Sequence, residues 1–96
     1  MSLNVFKEHP ELLNNLGNLY LASNKVELAI DVFKRARQAA PNNVDINYNL
    51  ARGYIALEAL KEAKDTVENI LRIQPSHIQA KIILADVLIK EKNYQS

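Results

Sequence analysis

The sequence has no cysteine and only two glycines among its 96 residues. Without cysteine, neither a disulfide framework nor a cysteine-ligated zinc site is available. The two glycines, Gly17 and Gly53, stand alone and not in a glycine-rich loop that could cradle a phosphate group. No apolar run approaches the roughly 18 residues that a membrane-spanning helix needs. The chain is therefore expected to hold no cofactor and to cross no membrane.

Net charge and targeting signals are also nearly absent. Twelve basic and eleven acidic residues leave a formal charge of +1, so no global field attracts nucleic acid or a membrane surface. Residues 1–6 lack the charged start and apolar core of a secretory signal. A cytoplasmic location is the default expectation, since a chain without cysteine fits a reducing compartment.

Candidate catalytic and metal-binding residues are few. His9 and His77 have no further histidine or carboxylate at a metal-binding interval, whereas zinc needs at least three protein ligands close together. The serines lie in predicted turns or tails, and none has the flanking glycines of a nucleophile elbow. The sequence indicates a protein that is not an enzyme and has no metal site.

What the chain does have is a repeat. Apolar residues make up 48% of the sequence and charged residues 24%, as in a folded domain, and the length allows one small domain. The differences 50 − 16, 54 − 20, 63 − 29 and 75 − 41 all equal 34, and they join residues of the same type. A constant period of this length is typical of a repeat array. The matching pairs are Leu16 and Leu50, Tyr20 and Tyr54, Ala29 and Ala63, and Pro41 and Pro75.

These residues resemble the tetratricopeptide repeat. The first unit carries the family's pattern as Leu16-Gly17-x-x-Tyr20, followed by Ala29, Phe33, Ala36 and Pro41. The second unit departs from that pattern with Ala51, Val67 and Ile70, which keep small or apolar character. The resemblance implies an all-α fold of five helices, in antiparallel pairs stacked as an α-α superhelix of about two and a half repeats. It also implies a right-handed superhelix.

Turn and capping residues suggest the repeat boundaries within a single domain of residues 1–96. We expect a lead-in over residues 1–9, a first repeat over 10–43, a second over 44–77, and half a third over 78–96. Asn24 with Glu27, and Ser76 with Gln79, have the spacing of capping boxes, while Asn42 or Asn43 could cap the third helix. The half repeat suggests a fragment of a longer protein, or an array whose last helix is its cap.

The resemblance implies a concave groove lined by the first helix of each pair, and it is this surface that binds partners in solenoids. Asparagine is a weak helix former, yet several asparagines fall within the first helix. Their amides could grip the backbone of an extended peptide, and Asn15 and Asn49, one period apart, are expected to stack as a ladder. The predicted groove residues are Asn14, Asn15, Asn18, Tyr48, Asn49, Arg52 and Asp86.

Relatives that bind acidic chaperone tails use a clamp of basic residues and asparagines. Asn18 and Asn49 match the asparagines of that clamp, but its basic members would fall at Asn14, Gln79 and Ile83. None of these three is basic, so we expect the clamp to be absent.

Two alternatives to a peptide-binding groove remain open. A nucleic-acid-binding array needs a basic groove, and here acidic residues offset Arg52, so this function is disfavoured. A structural spacer or self-association element is the other. Apolar residues of the fifth helix spread over more than one face, which predicts a homodimer through that helix. The predicted self-association residues are Ile82, Ile83, Val87 and Ile89.

Overall fold

The computed structural model describes residues 9–95, so most of the expected lead-in over residues 1–9 lies outside the described residues. Five α-helices occupy this range, and no strand occurs within it. The expectation of an all-α fold with five helices is confirmed. The helices are α1 (Pro10–Ala22), α2 (Val26–Ala39), α3 (Val44–Ala56), α4 (Leu60–Ile73) and α5 (Ile78–Gln95).

The turns inside the two complete helix pairs have the same backbone geometry one period apart. Asn24 precedes α2 with a φ of 62°, and Glu58 precedes α4 with a φ of 59°. Both residues therefore have a left-handed backbone conformation, which asparagine tolerates better than glutamate does. The predicted capping box at Asn24 is wrong, because this residue lies in the turn and the N-cap position belongs to Lys25.

The turns between pairs are capped by side chains. The Oδ1 of Asn43 accepts a hydrogen bond from the backbone N–H of Ile46, which confirms one of the two predicted caps of α3. Before α5 the cap comes from His77 and not from Ser76, since the Nδ1 of His77 accepts from the N–H of Ala80 at 3.0 Å. The imidazole therefore acts as a helix cap, a use that the capping-box pattern did not predict.

Asn47 stabilises the connection between α2 and α3. Its side chain is fully buried, and its Nδ2 donates to the carbonyl oxygens of Pro41 at 3.0 Å and Asn43 at 2.9 Å. A buried carbonyl group without a hydrogen-bond donor destabilises the fold. The Asn47 amide supplies donors to two such carbonyl groups, which water would supply in an exposed turn.

The core runs along the array between successive helices. Leu50, Phe33 and Ala29 are fully buried between the first and second pairs, and Val67, Ile70 and Ala80 form the equivalent cluster around α4 and α5. The repeated alanines Ala29, Ala51 and Ala63 have no exposed surface, so each sits where two helices approach closely.

Gly17 is required by close packing. A Cβ atom added at this position would lie 2.4 Å from Cε1 and 2.7 Å from Cδ1 of Phe33, whose side chain is fully buried. The absence of a side chain at Gly17 therefore lets α2 approach α1 closely. At Gly53 an added Cβ would meet Ile30 at 2.9 Å, a milder conflict.

The fifth helix has apolar residues on opposite faces. Val87 and Ala80 are fully buried against the preceding helices, whereas Ile82 is 62% and Ile89 61% exposed. The prediction that Val87 belongs to a self-association surface is wrong, because this side chain packs in a cluster with Leu60 and Ala63. Since α5 carries apolar residues all round, sequence alone could not separate its inner from its outer face.

Candidate functional site

Helices α1, α3 and α5 form one layer of the molecule. Close Cα approaches join α1 to α3 and α3 to α5, whereas within the described residues α2 and α4 have no Cα atoms within 8 Å of each other. The layer in which neighbouring helices lie closer together is the inner side of a curved stack. The concave face is therefore built from α1, α3 and α5, which carry all seven predicted groove residues.

A row of hydrogen-bonded polar side chains crosses from α1 to α3. Asn49 is only 8% exposed, and its Nδ2 donates to the Oδ1 of Asn14 at 2.9 Å. Its Oδ1 accepts a longer hydrogen bond from Nη1 of Arg52 at 3.4 Å. Because both ends of the Asn49 amide are engaged, its orientation is fixed before any ligand arrives.

The expected ladder between Asn15 and Asn49 is not the contact that forms. Asn14 takes the role of Asn15, so the interacting side chains are 35 residues apart instead of 34. Positions one period apart occupy equivalent sites on their own helices, but two crossing helices can meet at positions offset by one residue. Asn15 instead lies exposed beside Asn14, Glu11 and Asp45, at a small depression of about 270 Å³.

Aromatic rings continue the row toward α5. The guanidinium carbon of Arg52 lies 6.0 Å from the ring centroid of Tyr48, at the outer limit of a cation–π contact. The Tyr48 ring in turn lies 5.7 Å from the ring of His77, at an interplanar angle of 39°. The residue that caps α5 thus also packs against a groove residue, a link that sequence spacing did not indicate.

Two open clefts flank Arg52. The first, of about 410 Å³, lies between α1 and α3, and the predicted Asn18 is exposed at its edge. The second, of about 390 Å³, lies between α3 and α5 and is mostly apolar, with Asp86 on its rim. Ile82 and Ile83, predicted for self-association, both line this second cleft. The residues of the second cleft are Tyr48, Arg52, Ile55, Ala56, Ile82, Ile83 and Asp86.

Ile55 was missing from the predicted site, and it lines the second cleft together with Ala56. Both lie in the last turn of α3, where the apolar stripe of the helix turns from the core toward the cleft. Their equivalents one period earlier, Leu21 and Ala22, line the first cleft. Because Leu21 and Ile55 are one period apart, the repeat could have identified both as groove residues.

Other kinds of site find no support in the described part of the chain. Residues 9–95 contain no group of three or more histidine, aspartate or glutamate side chains placed to hold a metal ion. None of the five helices is both long and apolar enough to cross a bilayer.

The sequence model of the tetratricopeptide repeat matches residues 22–86, about two thirds of the chain. The chain belongs to the tetratricopeptide repeat family. Among curated proteins there is no match.

Solved structures with the same fold include three tetratricopeptide domains. The first domain of Spaghetti (RPAP3), bound to the HSP90 peptide SRMEEVD, superposes with a TM-score of 0.83 at 21% identity, covering 93% of this chain and 68% of that one. The second domain of human RPAP3, in complex with the HSP70 peptide SGPTIEEVD, gives 0.79 at 24% identity, with 83% and 67% covered. YrrB, described as a tetratricopeptide protein with an unusual peptide-binding site, gives 0.81 at 26% identity. The likeness covers 95% of this chain and 47% of YrrB.

These likenesses establish a fold of stacked helix pairs that other chains use to bind peptides. The expected absence of the acidic-tail clamp stays a prediction for this chain. Its three basic positions are filled here by Asn14, Gln79 and Ile83, and Asn14 is engaged with Asn49.

Proposed function

We propose that this protein is a non-catalytic interaction module that binds a segment of a partner protein, extended or helical, in the groove formed by α1, α3 and α5. One observation carries the proposal. A fixed row of amides, joined to Arg52 and Tyr48, lies beside an open apolar cleft on the concave face. Ligand sites commonly combine an apolar surface with a few well-placed polar groups in this way.

The fixed amide of Asn49 supports a role in gripping a peptide backbone. Each amide can make two donated and two accepted hydrogen bonds, so Asn49 retains bonding capacity after its contacts with Asn14 and Arg52. Because the amide is already oriented, little side-chain freedom would be lost on binding. Asn14 is also oriented in advance, by its one hydrogen bond to Asn49. Asn18 is exposed, and the ligand would have to order its side chain.

The charges and apolar surface suggest what the partner segment carries. Arg52 is exposed between the two clefts, so a carboxylate of the ligand could reach its guanidinium. An apolar side chain of the ligand would fit the cleft over Ile55, Ile82 and Ile83. Peptide complexes of other tetratricopeptide domains support this mode of binding.

The test uses peptides selected from a phage-displayed random library on the whole chain, and titrates the best binder by fluorescence anisotropy. Arg52→Ala should weaken binding by at least about tenfold, the usual effect of losing a charge-assisted contact. Arg72→Ala on α4 is a matched control, since Arg72 is also exposed and also bonds an asparagine three residues earlier, at 3.0 Å. Binding that depends on Arg72 and not on Arg52, or no saturable binding, contradicts the groove.

A second candidate function, which we also propose, is self-association through α5. The observation behind it is the exposure of three isoleucines on one helix, Ile78 at 67%, Ile82 at 62% and Ile89 at 61%. Contiguous apolar surface of this kind on a small protein commonly marks an interface. Sedimentation velocity at increasing concentration tests it, and a monomer up to about 1 mM protein contradicts it.

A further inference from the structure

The exposed apolar residues of α5 have the spacing of a coiled-coil seam. Ile78, Ile82, Ala85 and Ile89 follow one another at intervals of four, three and four residues, and all four are exposed. Heptad positions a and d alternate with this spacing, so Ile82 and Ile89 occupy a positions while Ile78 and Ala85 occupy d positions. The buried Val87 lies on the opposite side of the helix, against α4.

The flanks of this seam carry opposite charges at complementary positions. With Ile82 at position a, Lys81 falls at position g and Asp86 at position e, and both side chains are exposed. In a parallel two-stranded coiled coil, position g of one helix faces position e five residues later on the other helix. Since 81 + 5 = 86, each Lys81 would face Asp86 of a second copy.

We infer that α5 pairs with α5 of a second copy as a parallel, in-register coiled coil, with Lys81 bonded to the partner's Asp86. The inference rests on the self-association proposed above and adds its geometry. Two-fold symmetry makes the ion pair occur twice.

An antiparallel arrangement lacks this complementarity. With the seam residues in opposite order, Ile82 would face Ala85 of the second copy, and position g would face position g. Lys81 would then lie near Leu88 and form no ion pair. The charges therefore favour the parallel orientation. In that orientation the two molecules lie on opposite sides of the seam, because α5 packs on α3 and α4 through its other face.

The parallel pairing would also extend the groove. Ile82 and Asp86 line the cleft between α3 and α5 as well as the seam. The second copy would thus bring its Lys81 to the rim of that cleft, on the side away from Arg52.

Charge reversal tests the pairing. A seam about 16 Å long buries little surface, so the parent dimer is expected to be weak, with a Kd on the order of 100 µM. Lys81→Glu and Asp86→Lys should each raise that Kd by about tenfold, because each variant faces two like-charge pairs. An equimolar mixture of the two variants should form heterodimers with about the parent affinity, because both ion pairs are restored. If the mixture associates no better than the separate variants, the proposed ion pair is wrong.

Disulfide cross-linking tests orientation, and the absence of native cysteine makes it unambiguous. Ile78→Cys should form a disulfide-linked dimer under mild oxidation, because parallel in-register helices bring the two 78 positions together. Antiparallel helices would hold them about 16 Å apart and would instead join Ile78→Cys to Ile89→Cys in a mixture. Lys34→Cys, exposed on the outer helix α2, controls for random collision.

The outcomes separate the two proposals. A dimer that cross-links only between positions 78 and 89 overturns the parallel geometry and leaves self-association intact. A chain that stays monomeric at about 1 mM and gives no Ile78→Cys disulfide above the Lys34→Cys level overturns both. Neither result bears on peptide binding at Arg52.

Discussion

Replacement of Gly17 by alanine has two opposing effects on stability. It raises the helix propensity of α1, and it places a methyl group against Phe33 between the helices of the first pair. Alanine in the middle of a helix is more favourable than glycine by about 1 kcal/mol, so helix propensity alone predicts stabilisation. The new methyl group, however, would lie 2.4–2.7 Å from three ring atoms of Phe33. Ordinary carbon contacts are at about 3.5–4.0 Å, so the ring would have to move by about 1 Å in a close-packed core.

Overpacking of this kind destabilises by about 1–3 kcal/mol, which exceeds the gain in propensity. The free energy of unfolding of Gly17→Ala should therefore fall by about 1 kcal/mol, equivalent to roughly 4–8 °C in Tm for a domain of this size. Urea unfolding followed by far-UV circular dichroism measures the change. Gly53→Ala is the matched control, since its methyl group would meet one aliphatic side chain at 2.9 Å, and it should be close to neutral.

A double-mutant cycle separates the clash from other effects. Phe33→Leu alone should destabilise by about 1–2 kcal/mol, because it leaves part of the ring volume empty. In that background Gly17→Ala should no longer destabilise, giving a favourable coupling energy of about 1–3 kcal/mol. If Gly17→Ala is as stable as the parent and the coupling energy is zero, the close approach to Phe33 does not explain the glycine.

Three further stability predictions follow from single positions, each measured by the same urea titration. Ala63→Leu should lower the free energy of unfolding by about 1–3 kcal/mol, because its site between helices is fully buried, and an unchanged value would contradict the helix crossing. Glu58→Gly should have a free energy of unfolding about 0.5–1 kcal/mol higher than that of Glu58→Ala, because both variants lack the glutamate side chain and only alanine places a Cβ on the left-handed backbone; equal values would show that this backbone conformation has no cost. Asn47→Asp should lower the free energy of unfolding by about 3 kcal/mol at neutral pH, since a buried carboxylate would face two carbonyl oxygens. This loss should shrink as the pH falls toward about 4, where the carboxyl group binds a proton, and the exposed Asn15→Asp should show neither effect.

The fold was predictable because the core positions repeat. Leu16 and Leu50, with Ala29 and Ala63, recur at one period, and each occupies the same place in its helix pair. The resemblance to the tetratricopeptide repeat implied which helices line the concave face. The period identified equivalent positions within each helix. It could not predict contacts between helices, because the offset at a crossing depends on packing in three dimensions. Asn14 therefore replaces Asn15 in the bond to Asn49.

The errors at Val87 and at the helix caps have different causes. Val87 lies on a helix with apolar residues on both faces. The residues one and two periods earlier are Gly53 and Leu19, so the position has no constant residue type that would mark it as part of the core. Neither periodicity nor hydrophobicity could then show which face packs inward. At the caps, Asn24 and Ser76 satisfy a pattern that depends on spacing alone. In the structure Asn24 has a left-handed backbone conformation in the turn and does not cap α2. At the start of α5 the hydrogen bond to the backbone N–H of Ala80 is accepted by the imidazole of His77 and not by Ser76.

Equivalent groove positions carry different residue types in successive repeats, whereas equivalent core positions keep the same type. This difference predicts that the groove binds a peptide in one chain direction only. The equivalent position carries Asn18 on α1, Arg52 on α3 and Asp86 on α5, so an amide, a cation and an anion follow in order across the groove. A peptide that satisfies these groups in one direction presents the wrong charges in the other. The reversed sequence of a selected peptide should therefore bind at least about tenfold more weakly, although its composition and net charge are the same. Anisotropy titrations of the two peptides provide the comparison, with Arg52→Ala expected to reduce the difference between them. Equal affinities for the forward and reversed peptides would mean that the groove attracts its ligand by net charge and apolar content alone, without reading its direction.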